Sequence, residues 1–493
     1  MASQQQQNSR SPSSPRDDDD DLQHSSSQVL LPTDAAYKQR IASYWSNTAK
    51  QAAPARILRP RTASQLAHDL VRLVRSRTLF SVRSGGHSVS EGTNNISSSG
   101  VAIDLSLFDE VSFNAEEKTV RIGTGCLWKN VYAELQKHDR GVAGGRAGTV
   151  GVGGLLLGGG NTWLTAERGW ACDNIVAAEV VLADGQIVTA SRDAHADLFQ
   201  VLKGGGNNFG IVTRFTLSTV ALGKVWGGIL VVPKEHTPQI CAMTSSFVPK
   251  IAESPANNLF VVLGYSPEVK DVAACVGILN TRGEADDPVF EEWRQLPTIA
   301  ATIQTTTVYD LSFTVIQPEN YYTSWFTLTF KNDARIMTRA ASLHDDLVSS
   351  LQSFVPDGDF ISQCVFQPLP MIISQHSVRA GGNIMGLEDN NGGEDGGILF
   401  QALIQMKTEE QHVFGYAQLK AYVERVREFA ASMEGGGLLP WLYMNYADKS
   451  QDVLASYGPK NVKKMREVAD RYDPDTVFQT LCPGGWKLPK LDG

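Results

Sequence analysis

No apolar run in this 493-residue chain approaches the roughly 20 residues that a membrane-spanning helix needs. The richest stretches, Ile175–Ala183 and Ile398–Met406, are less than half that length, so no membrane partner is expected. Positive charge is also short. Forty-four Lys and Arg face 53 Asp and Glu, a formal net charge of −9, and no basic stripe with interleaved aromatics occurs, which argues against nucleic acid as the main partner. The six cysteines (Cys126, Cys172, Cys241, Cys275, Cys364, Cys482) form no CxxC pair and no zinc-ligand spacing, so reduced, mostly buried thiols are expected. The opening segment MASQQQQNSRSPSSPRDDDDD has no apolar core for a signal peptide, and the cytoplasm is the expected location. Hydrolase and metal signatures are missing as well: there is no GxSxG, and none of the nine histidines falls in HExxH spacing. His138, His195, His236 and His376 read as surface or structural histidines, and no metal is expected.

Length and composition give the positive side. A chain of this size exceeds the usual single-domain range, so two lobes around separate cores are expected. Residues 1–30 are Gln, Ser, Pro and Asp with little to bury, which predicts a disordered tail; Asp17–Asp21 reads as a solvated acidic run. Order is expected to begin near Pro54. ARILRPRTASQLAHDLVRLVRS predicts a short strand and an amphipathic helix with Leu66, Leu70, Val71, Leu73 and Val74 inward, capped by Thr62 or Ser64. LFSVRSGGHS predicts a buried strand entering a glycine turn. NIVAAEVVLADGQIVTA predicts a hairpin turning at Asp184–Gly185. Beyond about residue 222 the glycine clusters stop, and strands such as SWFTLTF and GGILFQALIQM alternate with the amphipathic helix QHVFGYAQLKAYVERVREFAASM.

Glycine is where the chain is least ordinary. Ten of the residues 141–160 are glycine, too many for a helix or strand interior and too apolar in company for a flexible linker. Two further clusters, Arg83–Ser88 and Gly204–Gly210, accompany it. The dinucleotide fingerprint GxGxxG fails at its third glycine in each place it is approached: Leu156 after Gly151 and Gly153, Trp128 after Gly123 and Gly125, Phe209 after Gly204 and Gly206. GxxxxGK[ST] is absent, which excludes a P-loop. One long ligand with two phosphates and a planar ring, approached by backbone at several places, would account for all three segments; tight turns in a twisted β fold are the plainer alternative.

At this point a resemblance enters. RSGGHSVSEGT, TVGVGGLLLGGGNTWLTAERGWACDN and KGGGNNFGIVTRF are similar to the PCMH-type FAD-binding domain of the vanillyl-alcohol oxidase superfamily. YMNYADKS and RYDPDTVF resemble the C-terminal segment of its berberine-bridge-enzyme-like branch, in its fungal-type form. The resemblance implies an α+β, two-lobed protein. Its parts would be an FAD-binding domain over residues 50–222, a substrate-binding domain over 223–435 with an antiparallel sheet backed by helices, and a segment 436–493 returning to the FAD domain.

The resemblance further implies FAD held covalently through a single link to His87, the histidine of RSGGH. The neighbours Arg83, Ser84, Gly85, Gly86 and Ser88 would form the cofactor cradle. Thr149, Val150, Gly151, Gly153, Gly154 and Gly158 would continue it, with Asn174, Gly210, Ile211, Val212 and Asn445. Relatives with a second link carry a cysteine where this chain has Ala147, and Cys172 does not match that position. Val150 at the oxygen-reactive face implies an oxidase that makes H2O2 from O2. A turn histidine with an ordinary hydrogen bond is the plainer reading of His87.

An oxidase of this type needs a base for a substrate proton while hydride leaves from carbon. Tyr443 and Tyr446 of YMNYAD are the candidates. If the segment is extended, strand alternation puts Tyr443 with Asn445 and Met444 with Tyr446, so one tyrosine points at the ring and the other is a core residue. Gln401 and Gln405 share one face of their strand, opposite Phe400, Ala402, Ile404 and Met406. That face is either a pocket floor, with Gln401 orienting the substrate, or a solvent-exposed sheet surface. The loops around Gly381–Asn383 and Asn390–Gly397 are candidates for the pocket mouth. The expected substrate is a small alcohol, sugar or secondary-metabolite intermediate. A flavin dehydrogenase, an oxidative cyclase with another acceptor, and a flavin-binding protein without turnover are the alternatives.

Overall fold

The computed structural model describes residues 27–390 and 392–489. The acidic run and residues 1–26 of the expected disordered tail lie outside them, while Gln28–Leu30, the end of that tail, is ordered. Order does not wait for Pro54. Gln28–Leu30 is a strand and Ala35–Ala42 a helix, and together they carry Tyr37, Tyr44 and Trp45 into the interior at 4%, 2% and 5% exposure. Three buried aromatics supply the apolar area that the polar sequence around them conceals. Tyr37 also donates to Pro54 O at 2.7 Å, tying this segment to the strand that follows.

Among the described residues, two small sheets and a two-stranded pair, Arg140–Gly141 with Val220–Ala221, form the first half. One has the order Gln28–Leu30, Arg56–Arg59, Gly100–Asp104, Leu79–Arg83, parallel except at its first pair. The helix Ala63–Arg75 covers it with Leu66, Leu70 and Leu73 buried, and Thr62 caps it by accepting from Gln65 N at 3.2 Å. The other is a five-stranded antiparallel sheet containing the hairpin Ile175–Val181 and Ile187–Ser191, whose turn Gly185 makes at φ +88°.

The glycine-rich stretch contains a helix after all, Val152–Leu157. Gly153 tolerates it because a Cβ there would lie only 3.1 Å from Ser84 Oγ: the small residue lets the helix lie against the next loop.

Among the described residues, the second half is one antiparallel sheet of nine strands. Its long members run in the order Val225–Pro233, Val272–Asn280, Asn257–Tyr265, Phe360–Leu369, Gly397–Met406, Tyr322–Lys331. The helices Thr237–Lys250, Ala334–Phe354 and Glu409–Ser432 back one face, which presents Phe330, Phe366, Phe400, Ala402 and Ile404 to them. Period-2 alternation turns the other residues of the same strands toward the first half of the chain. The last segment packs onto that half too. Trp441, Tyr443 and Met444 join the core of the five-stranded sheet, and Phe478 and Leu481 that of the smaller one. All six cysteines are unpaired and five are buried. Among the described residues no helix is long and apolar enough to cross a membrane.

Candidate functional site

A cavity of about 390 Å³ lies between the glycine segments and the bare face of the large sheet. The strand Leu79–Arg83 delivers the loop Ser84–Ser88 to its wall. Gly86 turns that loop at φ +76°. The second glycine segment crosses it backbone on backbone, since a Cβ on Gly151 would sit 2.5 Å from Gly85 N. The third joins through Gly206 N, which donates to Leu157 O at 3.0 Å. All three segments singled out by composition therefore meet at one place.

Their chemistry is that of backbone. Among the described residues, the N–H groups of Gly85, Gly86, His87 and Ser88 find no protein acceptor, and the cavity lining holds no carboxylate and no lysine. Free N–H groups in a glycine turn bind an anion without a cationic side chain. Glycine next to open space, as at Gly154, where a Cβ would meet nothing within 4 Å, admits a flat ligand against the chain. These residues fit FAD.

His87 stands at the junction. Its imidazole stacks on Trp45, centroids 4.4 Å apart and planes 12° apart, with Trp325 tilted at 6.3 Å. Trp45 N donates to Gly86 O at 3.1 Å, so the N-terminal segment holds both the loop and the ring. Desolvation lowers the His87 pKa to about 4, which leaves the imidazole neutral and nucleophilic near pH 7.

Ser84, Gly85, Gly86, Ser88, Val150, Gly151, Gly153, Gly154, Gly158, Gly210, Ile211, Val212 and Asn445 line the cavity with it. Three expected cradle residues do not. Arg83 points the other way: it donates to Arg40 O at 2.6 Å and Ser43 O at 2.9 Å and lies 3.7 Å over the Tyr44 ring, anchoring the N-terminal segment. Asn174 is buried and donates to Arg168 O and Trp170 O at 3.1 and 3.0 Å. Thr149 keeps its Oγ1 buried and unpartnered, outside the lining.

The two tyrosines differ in kind. Met444–Tyr446 is a turn of 3₁₀ helix rather than an extended strand, so the expected alternation does not hold there. The reason is local: Tyr446 N and Ala447 N find acceptors in Tyr443 O and Met444 O at 3.0 and 3.2 Å. Tyr443 is 1% exposed, stacked on Trp170 at 5.0 Å. Its hydroxyl oxygen accepts from Asn161 N at 2.7 Å, Gly160 N at 3.0 Å and Asn445 Nδ2 at 3.1 Å. Burial pushes its pKa well up. It is a bracket for the glycine segment.

Tyr446 is half-buried, and its oxygen accepts from Arg146 Nη2 at 2.8 Å. Gln367 Oε1 binds the same nitrogen, accepts from Asn161 Nδ2 at 3.0 Å and lies 3.5 Å from the Tyr446 hydroxyl. A guanidinium at that distance stabilises charge developing on the phenol oxygen.

Gln401 lines the cavity at 8% exposure, and Gln405 is fully buried, donating to Pro318 O at 3.1 Å. Their face is thus interior, not solvent. Among the described residues, none from the loops around Gly381–Asn383 and Asn390–Gly397 lines the cavity, so the expectation that they form its mouth is not met there; Asn383 Nδ2 is committed to Asp173 at 2.9 Å.

Sequence reasoning missed Arg146, Gln367 and Trp45. Arg146 had left a signal, being the one charged residue among residues 141–160. Gln367 had left none, because its role depends on which strand lies beside which.

A family model described as an FAD binding domain matches residues 54–191. The FAD-dependent monooxygenase drtC of Aspergillus calidoustus is 34% identical to this chain over 464 residues, 93% of this chain and 87% of its own. The 6-hydroxy-D-nicotine oxidase of Arthrobacter nicotinovorans superposes at a TM-score of 0.76 with 21% identity, covering 94% of this chain and 98% of its own. The glucooligosaccharide oxidase of Acremonium strictum, with a 6-S-cysteinyl, 8α-N1-histidyl FAD, superposes at 0.71 with 19% identity over 92% and 95%. The two likenesses to solved structures establish the fold.

Proposed function

The chain belongs to the FAD-linked oxidoreductases of the berberine-bridge-enzyme-like branch of the vanillyl-alcohol oxidase superfamily, and from that premise we propose an oxidase that carries its FAD on His87. One observation carries the proposal: a neutral imidazole and a tyrosine held by a guanidinium line the same cavity. The bond to FAD is single in this reading. Ala147 lines the cavity where relatives with a second link have cysteine, and Cys172 is buried outside the lining.

When bound, FAD supplies the hydride acceptor, and O2 takes the electrons onward as H2O2. The chain supplies the rest. Backbone N–H groups of Gly85–Ser88 would hold the pyrophosphate. Tyr446 takes the substrate O–H proton, and Arg146 steadies the charge on its oxygen. Gln367 fixes the guanidinium, and Gln401 offers its amide to the substrate but cannot act as the base. Val150, in the cavity lining, would leave space for oxygen beside a bound ring. The substrate is a small organic molecule with an oxidisable C–H next to O–H or N–H.

The test is acid precipitation of the purified protein. Yellow colour in the pellet, absent from His87→Ala, supports the link; colour released to the supernatant overturns it. Peroxide measured against substrate consumed then separates an oxidase from a dehydrogenase. The monooxygenase name of drtC favours a second reading, in which an oxygen atom enters the product. Label from ¹⁸O2 in the product would establish it.

A further inference from the structure

The charge around the cavity is unbalanced. Among the described residues, Arg146 is the lone guanidinium of a lining without lysine or carboxylate. None of the ion pairs among the described residues involves it. Both its hydrogen bonds leave from Nη2 and end on Gln367 and Tyr446, neither of them a carboxylate. Among the described residues its remaining N–H groups find no protein acceptor. A half-buried cation with donors to spare attracts an oxygen anion where no carboxylate is paired with it.

The sheet above it is built differently. Register pairs Val262 with Val365 and Val365 with Gln401, while Leu403 pairs with Gln363 on one side and Trp325 on the other. All six residues line the cavity. The roof is therefore apolar area interrupted by single amides, which hydrogen-bond oxygen without carrying charge.

We propose that the substrate is a largely apolar molecule with an acidic oxygen (a phenol, an enolised carbonyl or a carboxylate) seated on Arg146, and that amines and oligosaccharides bind poorly. An ammonium would meet a guanidinium and no carboxylate, a like-charge contact in a site that water has partly left. A sugar would exchange its water for Val262, Val365 and Leu403, leaving unpaired those hydroxyls that the few amides do not reach. This inference rests on the reading of the cavity as the oxidoreductase's substrate site.

The yellow holoenzyme is titrated with benzoate, benzyl alcohol, benzylamine and xylobiose while the visible flavin band is followed. Benzoate is expected to bind roughly tenfold tighter than benzyl alcohol, or more, as a charge-assisted bond allows. Benzylamine and xylobiose should leave the band unmoved at the same concentrations. Arg146→Met should erase the roughly tenfold advantage of benzoate over benzyl alcohol. If that variant does not fold, Gln363→Glu takes its place: a carboxylate in the roof should weaken benzoate and admit benzylamine. Benzylamine or xylobiose binding as well as benzoate overturns the inference, as does an advantage of benzoate that survives both variants. So does a band that none of the four probes moves, and a guanidinium that serves only the cofactor ring would give that result. A protein that purifies colourless fails at the earlier step and overturns the functional reading instead.

Discussion

The floor and the roof of the cavity are made of different material. The floor is backbone: three glycine segments, pressed together until Gly85 and Gly151 leave no room for a Cβ between them. The roof is side chain: alternate residues of long strands, their partners chosen by register, with the opposite face sealed by Phe366, Phe400 and Ile404 under helices. A backbone floor suits a ligand that does not vary, because N–H groups are the same whatever the sequence. A side-chain roof can change its chemistry one residue at a time without disturbing the sheet. The difference teaches where substrate choice resides, and it can be broken by substitutions that should act on one region and spare the other.

The largest effect is expected where the two regions meet. Tyr446→Phe keeps the ring packed against Trp325 and Tyr443 but removes the oxygen that Arg146 holds. The rate of flavin reduction by substrate should fall about 10²–10⁴-fold, the usual worth of a positioned base, with the flavin spectrum unchanged. Tyr443→Phe should do the converse, loosening Gly160 and Asn161 and lowering thermal stability with little change in the rate once folded. Equal rate losses in the two variants, by stopped-flow absorbance, would refute the division of roles.

Gly151→Ala comes next. The added methyl meets Gly85 N at 2.5 Å and Cα at 2.7 Å, and neither loop can yield without moving the other. Overpacking of this kind costs about 1–3 kcal/mol, and the upper end is expected because both partners are backbone. Melting of the flavin-free protein reads it. A neutral result would mean that the loops are not in contact.

A smaller effect, confined to the layer behind the roof, follows from pH. His344 is fully buried with Nε2 2.9 Å from Ser362 Oγ, and desolvation lowers its pKa to about 3. Unfolded, it titrates near the ordinary value of about 6.5, so between those values the unfolded chain binds the extra proton. Its contribution is complete above pH 6.5 and is lost as pH falls toward 3. About 2 kcal/mol should go between pH 6.5 and 5. His344→Gln should flatten that part of the stability profile, measured by urea unfolding; an unchanged slope would place the acid sensitivity elsewhere.

How much of this was legible in the sequence follows the same division. The floor announced itself, since clustered glycine at residues 83–88, 141–160 and 204–210 is a local signal and the three clusters do converge. Two strands of the roof, SWFTLTF and GGILFQALIQM, were legible as strands, and the shared face of Gln401 and Gln405 as alternation. What sat on that face was not. Gln367 belongs to the site only because Phe360–Leu369 lies between Asn257–Tyr265 and Gly397–Met406, an order no local pattern encodes. The turn at Met444–Tyr446 was missed for a related reason. Its hydrogen bonds run along the chain, but the burial of Tyr443 between Trp170 and Trp441 is set from outside it. Trp45 was lost because a polar neighbourhood hid three aromatics.

Gly154 gives the smallest effect and the sharpest test of what the floor is for. It sits inside the helix Val152–Leu157, exposed to the cavity, and a Cβ there meets nothing within 4 Å. Judged by the protein alone, Gly154→Ala should be favourable by about 0.5–1 kcal/mol, the ordinary gain of alanine over glycine in a helix. The same methyl enters the space where a flat ligand would lie against the chain. Flavin-free protein should therefore melt slightly higher while FAD retention drops, a pair of opposite signs that Gly151→Ala cannot give because it damages the fold first. If both quantities rise together, FAD does not touch this helix, and the open space beside Gly154 belongs to the substrate side of the cavity.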